Sequence, residues 1–290
     1  MEQLPILRDI NVFKDYMQSF GIFHDPGECS EYVDCHYERF KRTLEKVPRG
    51  RGSLLEIGAA PFCMTLMMKE VLEYDIQVVN FGSAGDVRLQ SGRHSREFVI
   101  PCTGINVERE PFPFEGGAFD VVMCAEVIEH LTFCPSYMLA EAHRVLKPGG
   151  VLIVTTPNAL RWICNYHNAR ELFRGRSFYD PYSGYGPYGR HNREFTPAEL
   201  RLLVEGCGFT IGELEVCDIP ERKETLKARL YRRVVPFVFG VSREVVESNG
   251  PSQILLTARP DKERKVFLPE DLYKSTHAME KARKEFPKIP

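Results

Sequence analysis

Nine residues, Leu54-Leu55-Glu56-Ile57-Gly58-Ala59-Ala60-Pro61-Phe62, restrict the fold more than any other stretch of the chain. Leu54, Leu55 and Ile57 make a short apolar run with few polar interruptions, the pattern of a strand buried on both faces of a parallel sheet. Gly58 permits a sharp turn. Pro61 suits the first position of a helix, where its missing N–H would have no partner. Phe62, Leu66 and Val71 give that helix an apolar side. Strand, turn and helix in this order predict a doubly wound α/β sheet, which takes ligands in the crevice above the carboxyl ends of its strands.

The rest of the chain supplies the remaining strands and their covering helices. Strands are predicted at 76–80, 97–100, 119–125, 151–156, 209–216 and 252–258. Val33, Tyr37, Phe40, Leu44 and Val47 recur at helical spacing and predict one amphipathic helix ahead of the sheet, ended by Pro48 and Gly50. It either packs on the sheet edge or carries, in residues 20–28, part of a lid. A second helix is expected over 140–147, facing inward through Leu139, Ala142, Val145 and Leu146. Thr196, Pro197 and Glu199 read as a capping box opening a third.

What the first loop lacks narrows its ligand. A dinucleotide fingerprint needs Gly-x-Gly-x-x-Gly so that backbone N–H groups can approach a pyrophosphate. Here Ala60 replaces the second glycine and Pro61 has no N–H, which argues against a phosphate cradle. The run resembles instead the acid-x-Gly-x-Gly first motif of class I S-adenosylmethionine-dependent methyltransferases. Asn106-Val107-Glu108-Arg109-Glu110-Pro111-Phe112 is similar to that family's Asp-Ala-Glu-x-x-Pro-Phe stretch. Phe119-Asp120-Val121-Val122-Met123-Cys124-Ala125-Glu126-Val127-Ile128-Glu129-His130-Leu131 resembles its fourth motif, in the subgroup carrying Glu-Val-Ile-Glu-His-Leu. Leu146-Lys147-Pro148-Gly149-Gly150 before an apolar strand matches a further feature, and together the matches cover residues 53–158.

The resemblance implies a Rossmann-like, seven-stranded, mostly parallel sheet with helices on both faces and an antiparallel last strand, which the reading places at the edge. It divides the chain into an N-terminal helical segment (1–50), a cofactor-binding methyltransferase domain (51–260) with insertions at 159–195 and 221–250, and a polar tail (261–290). The implied cofactor is S-adenosylmethionine. Glu56 and Gly58 would hold its methionine end, Ala59 and Ala60 would bind it from the same loop, Asn80 would meet its ribose, Asn106 and Val107 its adenine, and Cys124, Ala125 and Glu126 its other side. An amide at Asn80 accepts hydrogen bonds from a ribose without charge assistance, and Asp86 is the fallback. Ala60 and Asn80 also keep open a non-catalytic scaffold with a degenerate site.

Transfer from a sulfonium mainly requires alignment, and a hydroxyl acceptor adds the need for a base. His130 is the first candidate for that base and His191 the second, since neutral imidazole is poised near pH 7. Their alternative is a histidine bonded to backbone. Glu126, Glu129 and His130, at i, i+3 and i+4, would share a helical face and could bind a divalent ion. The expected site holds no metal. The segment nevertheless resembles the metal site of small-RNA 3′-end 2′-O-methyltransferases and of some quinone O-methyltransferases, which keeps a metal-assisted RNA or quinone enzyme as the alternative.

The acceptor is sought in the first insertion, where aromatic residues from Trp162 to Tyr188 alternate with Arg161, Arg170, Arg174, Arg176, Arg190 and Arg193. That mixture suits sugar rings, phosphate or single-stranded bases. The glycine-rich stretch 182–189 reads as a lid, and the segment Arg190–Thr196 resembles bacterial methyltransferases acting on glycans and related metabolites. A glycan or small-molecule hydroxyl is therefore expected as acceptor. The net charge of −2 gives no general reason to expect DNA or another polyanion. Residues 221–240 combine basic side chains with an apolar patch, which would either pack on the sheet or touch an anionic membrane. Nine cysteines without a C-x-x-C pair fit reduced thiols, and the first ten residues show no signal-peptide core, so the cytoplasm is the expected location.

Overall fold

The computed structural model describes residues 4–82, 84–161, 166–167, 169–170, 173–175, 188–219, 226–238, 240 and 250–264. Three helices precede the sheet: α1 (Pro5–Arg8), α2 (Ile10–Ser19) and α3 (Pro26–Glu45). The sheet is built from β1 (Arg51–Ile57), β2 (Glu73–Asn80), β5 (Cys102–Gly104), β6 (Phe119–Ala125), β7 (Leu146–Pro157), β8 (Phe209–Cys217) and β9 (Gln253–Pro260). Its order is β5-β2-β1-β6-β7-β9-β8. Pairings among β5, β2, β1, β6 and β7 are parallel, whereas β9 runs antiparallel to both β7 and β8. This is the expected Rossmann-like sheet. The antiparallel strand, however, lies inside it and β8 takes the edge. Ile254, Leu255 and Leu256 in β9 are fully buried, while β8 leaves Thr210, Gly212 and Glu213 exposed, so burial favours the order observed.

Residues 97–100 do not form the third strand of the sheet. β3 (Val87–Ser91) and β4 (Arg96–Ile100) pair antiparallel in a separate two-stranded ribbon, and the adjoining Cys102–Gly104 enters the sheet beside β2. The alternation explains it: Glu97 and Val99 face solvent while Ile100 is buried, a one-sided pattern of hairpins rather than of parallel strands.

Each sheet face has its own core. On one, Leu54, Ile76, Val78, Met123 and Ile153 pack with α4 (Cys63–Val71) and with Phe13, Val33, Phe40 and Leu44 of α2 and α3. The N-terminal segment thus shares a core with the sheet. On the other, Leu55, Val122, Leu152 and Ile254 pack with α5 (Pro135–Val145) and α6 (Pro197–Gly206). The capping box at α6 forms as expected, with Thr196 Oγ1 accepting from Glu199 N and Glu199 Oε2 accepting from Thr196 N; such a cap contributes about 1 kcal/mol. A last helix, α7 (Leu226–Val238), lies in the second insertion. The expected lid stretch 182–187, most aromatic residues of the first insertion and the tail beyond 264 lie outside the described residues. Among the described residues, no helix is long and apolar enough to cross a membrane.

Candidate active site

The loop after β1 shows why its residues stand where they do. Gly58 has φ +72°, and a Cβ there would sit 2.4 Å from Val127 Cγ2, so both backbone sign and space demand glycine. Its amide donates to the Val79 carbonyl at 2.9 Å, and the Ala59 amide donates to Asn80 Oδ1 at 2.8 Å. The oxygen expected to meet a ribose also holds the loop. Pro61 is not the first helical residue. Residues 59–62 form a turn closed by Phe62 N donating to Ala59 O, Phe62 adopts φ +70°, and α4 begins at Cys63.

Glu56 lies under this loop, 3% exposed, with Oε2 accepting from Thr65 Oγ1 at 2.6 Å. Burial pushes its carboxyl up to about 7, against which the Thr65 hydrogen bond acts. A buried carboxyl poised between charged and neutral beside a cleft is a marker of function.

Two cavities meet here. One, of about 310 Å³, is lined mainly by apolar groups including Val79, Ile105, Val107, Leu131 and Tyr188, with Asn80 and Asn106 at its wall. Asn106 Nδ2 donates to Tyr188 Oη at 2.9 Å, and its Oδ1 accepts from Glu108 N at 3.0 Å. Glu108, which sequence reasoning passed over, is buried and accepts from the amides of Thr132, Phe133 and Cys134, tying this wall to the start of α5. Burial would raise its carboxyl, but these amide bonds outweigh that and hold it below its ordinary value.

The second cavity, of about 350 Å³, is polar and lies between Glu56, Ala59, Ala60, His130, His191 and one stripe of α3. Gly58, Ala60, Glu126 and His130 line both cavities, so the two form one continuous site. The α3 stripe is Tyr32, His36, Arg39, Phe40 and Thr43, at helical spacing beside the apolar stripe that packs on the sheet. The helix itself roofs the cavity, rather than residues 20–28. Arg39 and His36 were the signal, since polar residues on a mostly buried helix face need partners. Arg39 pairs with Glu126 at 3.0 Å, and burial followed by Arg39 lowers His36 to about 3, leaving it neutral.

Glu126 occupies φ +56° at the end of β6, and only a single 3₁₀ turn, Ile128–His130, follows. The helical face expected for Glu126, Glu129 and His130 is therefore absent, because the left-handed residue breaks the register. Glu126 accepts from Arg39, Thr155 Oγ1 and Gln253 Nε2, which fixes it between α3 and the sheet. Cys124 lines neither cavity: strand alternation puts its thiol in the core on the α5 side of the sheet, 3.8 Å from Met138 Sδ, while Ala125 lines the polar cavity.

The segment 190–194 builds the far wall. Asn192 and Arg193 amides donate to the Glu129 carbonyl, and Asn192 Nδ2 donates to the His130 carbonyl. His130 Nδ1 bonds the Arg190 carbonyl at 2.9 Å, which requires the proton on Nδ1 and leaves Nε2 as a lone pair. Burial, then His191, lowers its pKa. His191 packs edge-on at 4.8 Å, with Nδ1 held by Glu194 at 2.8 Å. Glu194 is also gripped by both terminal nitrogens of Arg161; despite burial, His191 and Arg161 hold it down at about 2. Glu129 is fully buried, its Oε2 accepting from Thr156 Oγ1, and burial followed by Glu126 raises its carboxyl well above the usual range. Among the described residues two buried side-chain atoms lack a hydrogen-bond partner, His36 Nδ1 and Glu129 Oε1, and both residues line the polar cavity.

The structure thus brings together Glu56, Gly58, Ala59, Ala60, Asn80, Asn106, Val107, Ala125, Glu126, His130 and His191 around one site, and sets Cys124 aside. Comparison with known proteins fits this arrangement. A protein of Mycolicibacterium smegmatis named as a probable S-adenosylmethionine-dependent methyltransferase is 34% identical over 99 residues, 34% of this chain and 32% of that protein. A ubiquinone biosynthesis O-methyltransferase of Methylobacterium nodulans is 30% identical over 41% of this chain and 45% of its own length. The chain therefore spans less than half the length of these two relatives. One from Rhodopseudomonas palustris is 26% identical over 200 residues, 65% of this chain and 71% of that protein. A chain of the solved complex between the Haloferax volcanii Trm112 methyltransferase activator and a methyltransferase superposes with a TM-score of 0.51 at 16% identity, over 80% of this chain and 92% of that one, and shares the fold. The model of the methyltransferase domain family matches residues 30–214, more than half of the chain, and the chain belongs to that family of S-adenosylmethionine-dependent enzymes.

Proposed function

We infer that the protein methylates a hydroxyl oxygen of a small metabolite or glycan, with the cofactor across the junction of the two cavities and the acceptor in the polar one. The observation that carries this is the pair of partnerless buried atoms, His36 Nδ1 and Glu129 Oε1, on the walls of one cavity, since buried polar groups are normally satisfied and a polar ligand would satisfy these. The residues fit the cofactor: the apolar cleft by Val107 and Ile105 suits a purine, and Glu56 beneath a glycine that admits no side chain suits the methionine end. When bound, S-adenosylmethionine supplies a methyl group on a sulfonium and departs as a neutral thioether. His130 then has the remaining chemical task. Its Nε2 lone pair takes the hydroxyl proton as the acceptor oxygen attacks, and the Arg190 carbonyl steadies the imidazolium through Nδ1–H. His191, held by Glu194, walls the acceptor against His130. The relatives named as ubiquinone O-methyltransferases support oxygen as the methylated atom.

The test is product formation with labelled cofactor from panels of glycans and small compounds that offer hydroxyl, amine or nucleophilic carbon acceptors. Label appearing on nitrogen or carbon acceptors alone would overturn the reading.

One observation favours metal assistance as a second reading. One ligand atom each of Glu129, His130 and His191 lies within 4.8 Å of the others. Both imidazoles are tethered through Nδ1, and Glu129 Oε1 has no hydrogen-bond partner and lies 3.9 Å from His130 Nε2. Two imidazoles and one carboxylate suit a transition ion better than magnesium. These three residues would hold it, and it would acidify a bound hydroxyl. Under the main reading EDTA leaves activity unchanged; a loss restored by added divalent metal establishes the second.

A further inference from the structure

The second insertion carries a helix whose apolar face looks outward. In α7, Leu226, Leu230, Val234, Phe237 and Val238 are between 47% and 87% exposed. At 3.6 residues per turn they fall within an arc of about 120°. Twelve large apolar side chains stand exposed among the described residues, and five of them lie on this one helix, which makes a stripe rather than scatter. Arg229 and Arg233 flank the stripe on one side and Lys227 falls within its other side, between Val234 and Val238, while the segment 226–238 contains no acidic residue. An amphipathic helix that served only to cover the sheet would turn this stripe inward.

Position matters as much as composition. β8 ends at Cys217 and β9 begins at Gln253, which pair with each other, and Gln253 also pairs with Pro157 at the end of β7. The connection holding α7 therefore leaves the sheet at its carboxyl edge, where Pro157 lines the polar cavity. Tyr231 of α7 packs against Tyr166, which follows β7, with ring centroids 5.4 Å apart. The helix is thus joined to the sheet at the edge on which the site opens.

We propose that α7 docks on an anionic lipid bilayer, its apolar stripe entering the headgroup boundary and its basic side chains meeting the lipid phosphates. An apolar face bordered by Lys and Arg is complementary to such a surface in both hydrophobicity and charge. The docking itself does not depend on the methyl-transfer reading. Resting on that reading, it adds that the acceptor is an amphiphile presented at the membrane surface next to the cavity.

The test is co-sedimentation of the full chain with vesicles of phosphatidylcholine alone and of phosphatidylcholine mixed with phosphatidylglycerol. The expected result is binding at least about tenfold tighter to the anionic vesicles and weakened by salt. The double variant Leu230→Asp, Phe237→Asp and the double variant Lys227→Glu, Arg233→Glu should each lose at least about tenfold. Both should titrate S-adenosylmethionine as the wild type does, which shows that they fold. Absence of wild-type binding to either vesicle, equal binding to both, or undiminished binding by the variants overturns the proposal. So does a wild-type dimer in sedimentation that the Leu230→Asp, Phe237→Asp variant converts to monomer, because a second copy would then cover the stripe. Vesicle binding without cofactor binding would refute the methyl-transfer reading and leave the docking standing.

Discussion

Replacing Glu56 by glutamine separates its charge from its shape. The glutamine keeps the volume and an oxygen for Thr65 Oγ1, so the loop after β1 should hold its path. In the free protein the wild-type carboxyl titrates at about 7 instead of near 4.5. The folded state therefore binds the proton more tightly than the unfolded chain, and stability falls as pH rises from about 4.5 to about 7, by about 3 kcal/mol in all. At pH 8 the Glu56→Gln variant should accordingly melt above the cofactor-free wild type, and at pH 4 the gap should vanish. Cofactor binding should show the opposite preference. A cationic ligand favours the ionised carboxylate, whose population in the free protein drops about tenfold between pH 8 and pH 6. Wild-type affinity should follow that drop, with proton release on binding below neutral pH. The variant loses a charge-assisted hydrogen bond of about 1.5–3 kcal/mol, hence tenfold or more in affinity at pH 8, together with the pH slope. Calorimetry at the two pH values and thermal melts measure all of this. Equal affinities, or the same pH slope in both proteins, would refute the reasoning.

Other substitutions probe the remaining walls. His130→Ala should cut turnover by about 10²–10⁴-fold while leaving cofactor affinity nearly intact; a small loss would make His130 structural. The wild-type rate should persist below pH 6.5 before His130 protonates, because burial and His191 lower its pKa. Gly58→Ala forces a methyl group to 2.4 Å from Val127 Cγ2 at positive φ, and should abolish cofactor binding and lower stability by about 1–3 kcal/mol. Arg39→Met strands the partly buried Glu126, and should cost about 3–5 kcal/mol in a denaturant titration.

The sheet was largely legible because its strands are long apolar runs separated by clear breakers. Two details escaped. Residues 97–100 carry an alternation that the eye for apolar content passes over, and the placing of β8 rather than β9 at the edge depends on burial that periodicity alone does not encode. Around the site, motif residues such as Glu56, Gly58, Asn106, Val107 and His130 landed on the cavity walls because short-range sequence fixes loop residues at strand ends. Asn80 lies on the cavity wall, and its bond from the Ala59 amide depends on the path of the neighbouring loop, which residue identity alone does not encode. The helical face expected for Glu126, Glu129 and His130 is missing because Glu126 takes a left-handed backbone, and Cys124 lines neither cavity because strand alternation turns it into the core. The α3 roof was hidden because its contacts span 87 residues from Arg39 to Glu126.

The central claim is that the joined cavities hold S-adenosylmethionine, and calorimetric titration of the purified protein with that compound, beside NAD as control, tests it most directly. The account predicts binding in the micromolar range for the first and none for the second. Binding of neither would contradict it and return the chain to a scaffold with a degenerate site, and binding of NAD would contradict the reading of the loop at Ala60 and Pro61.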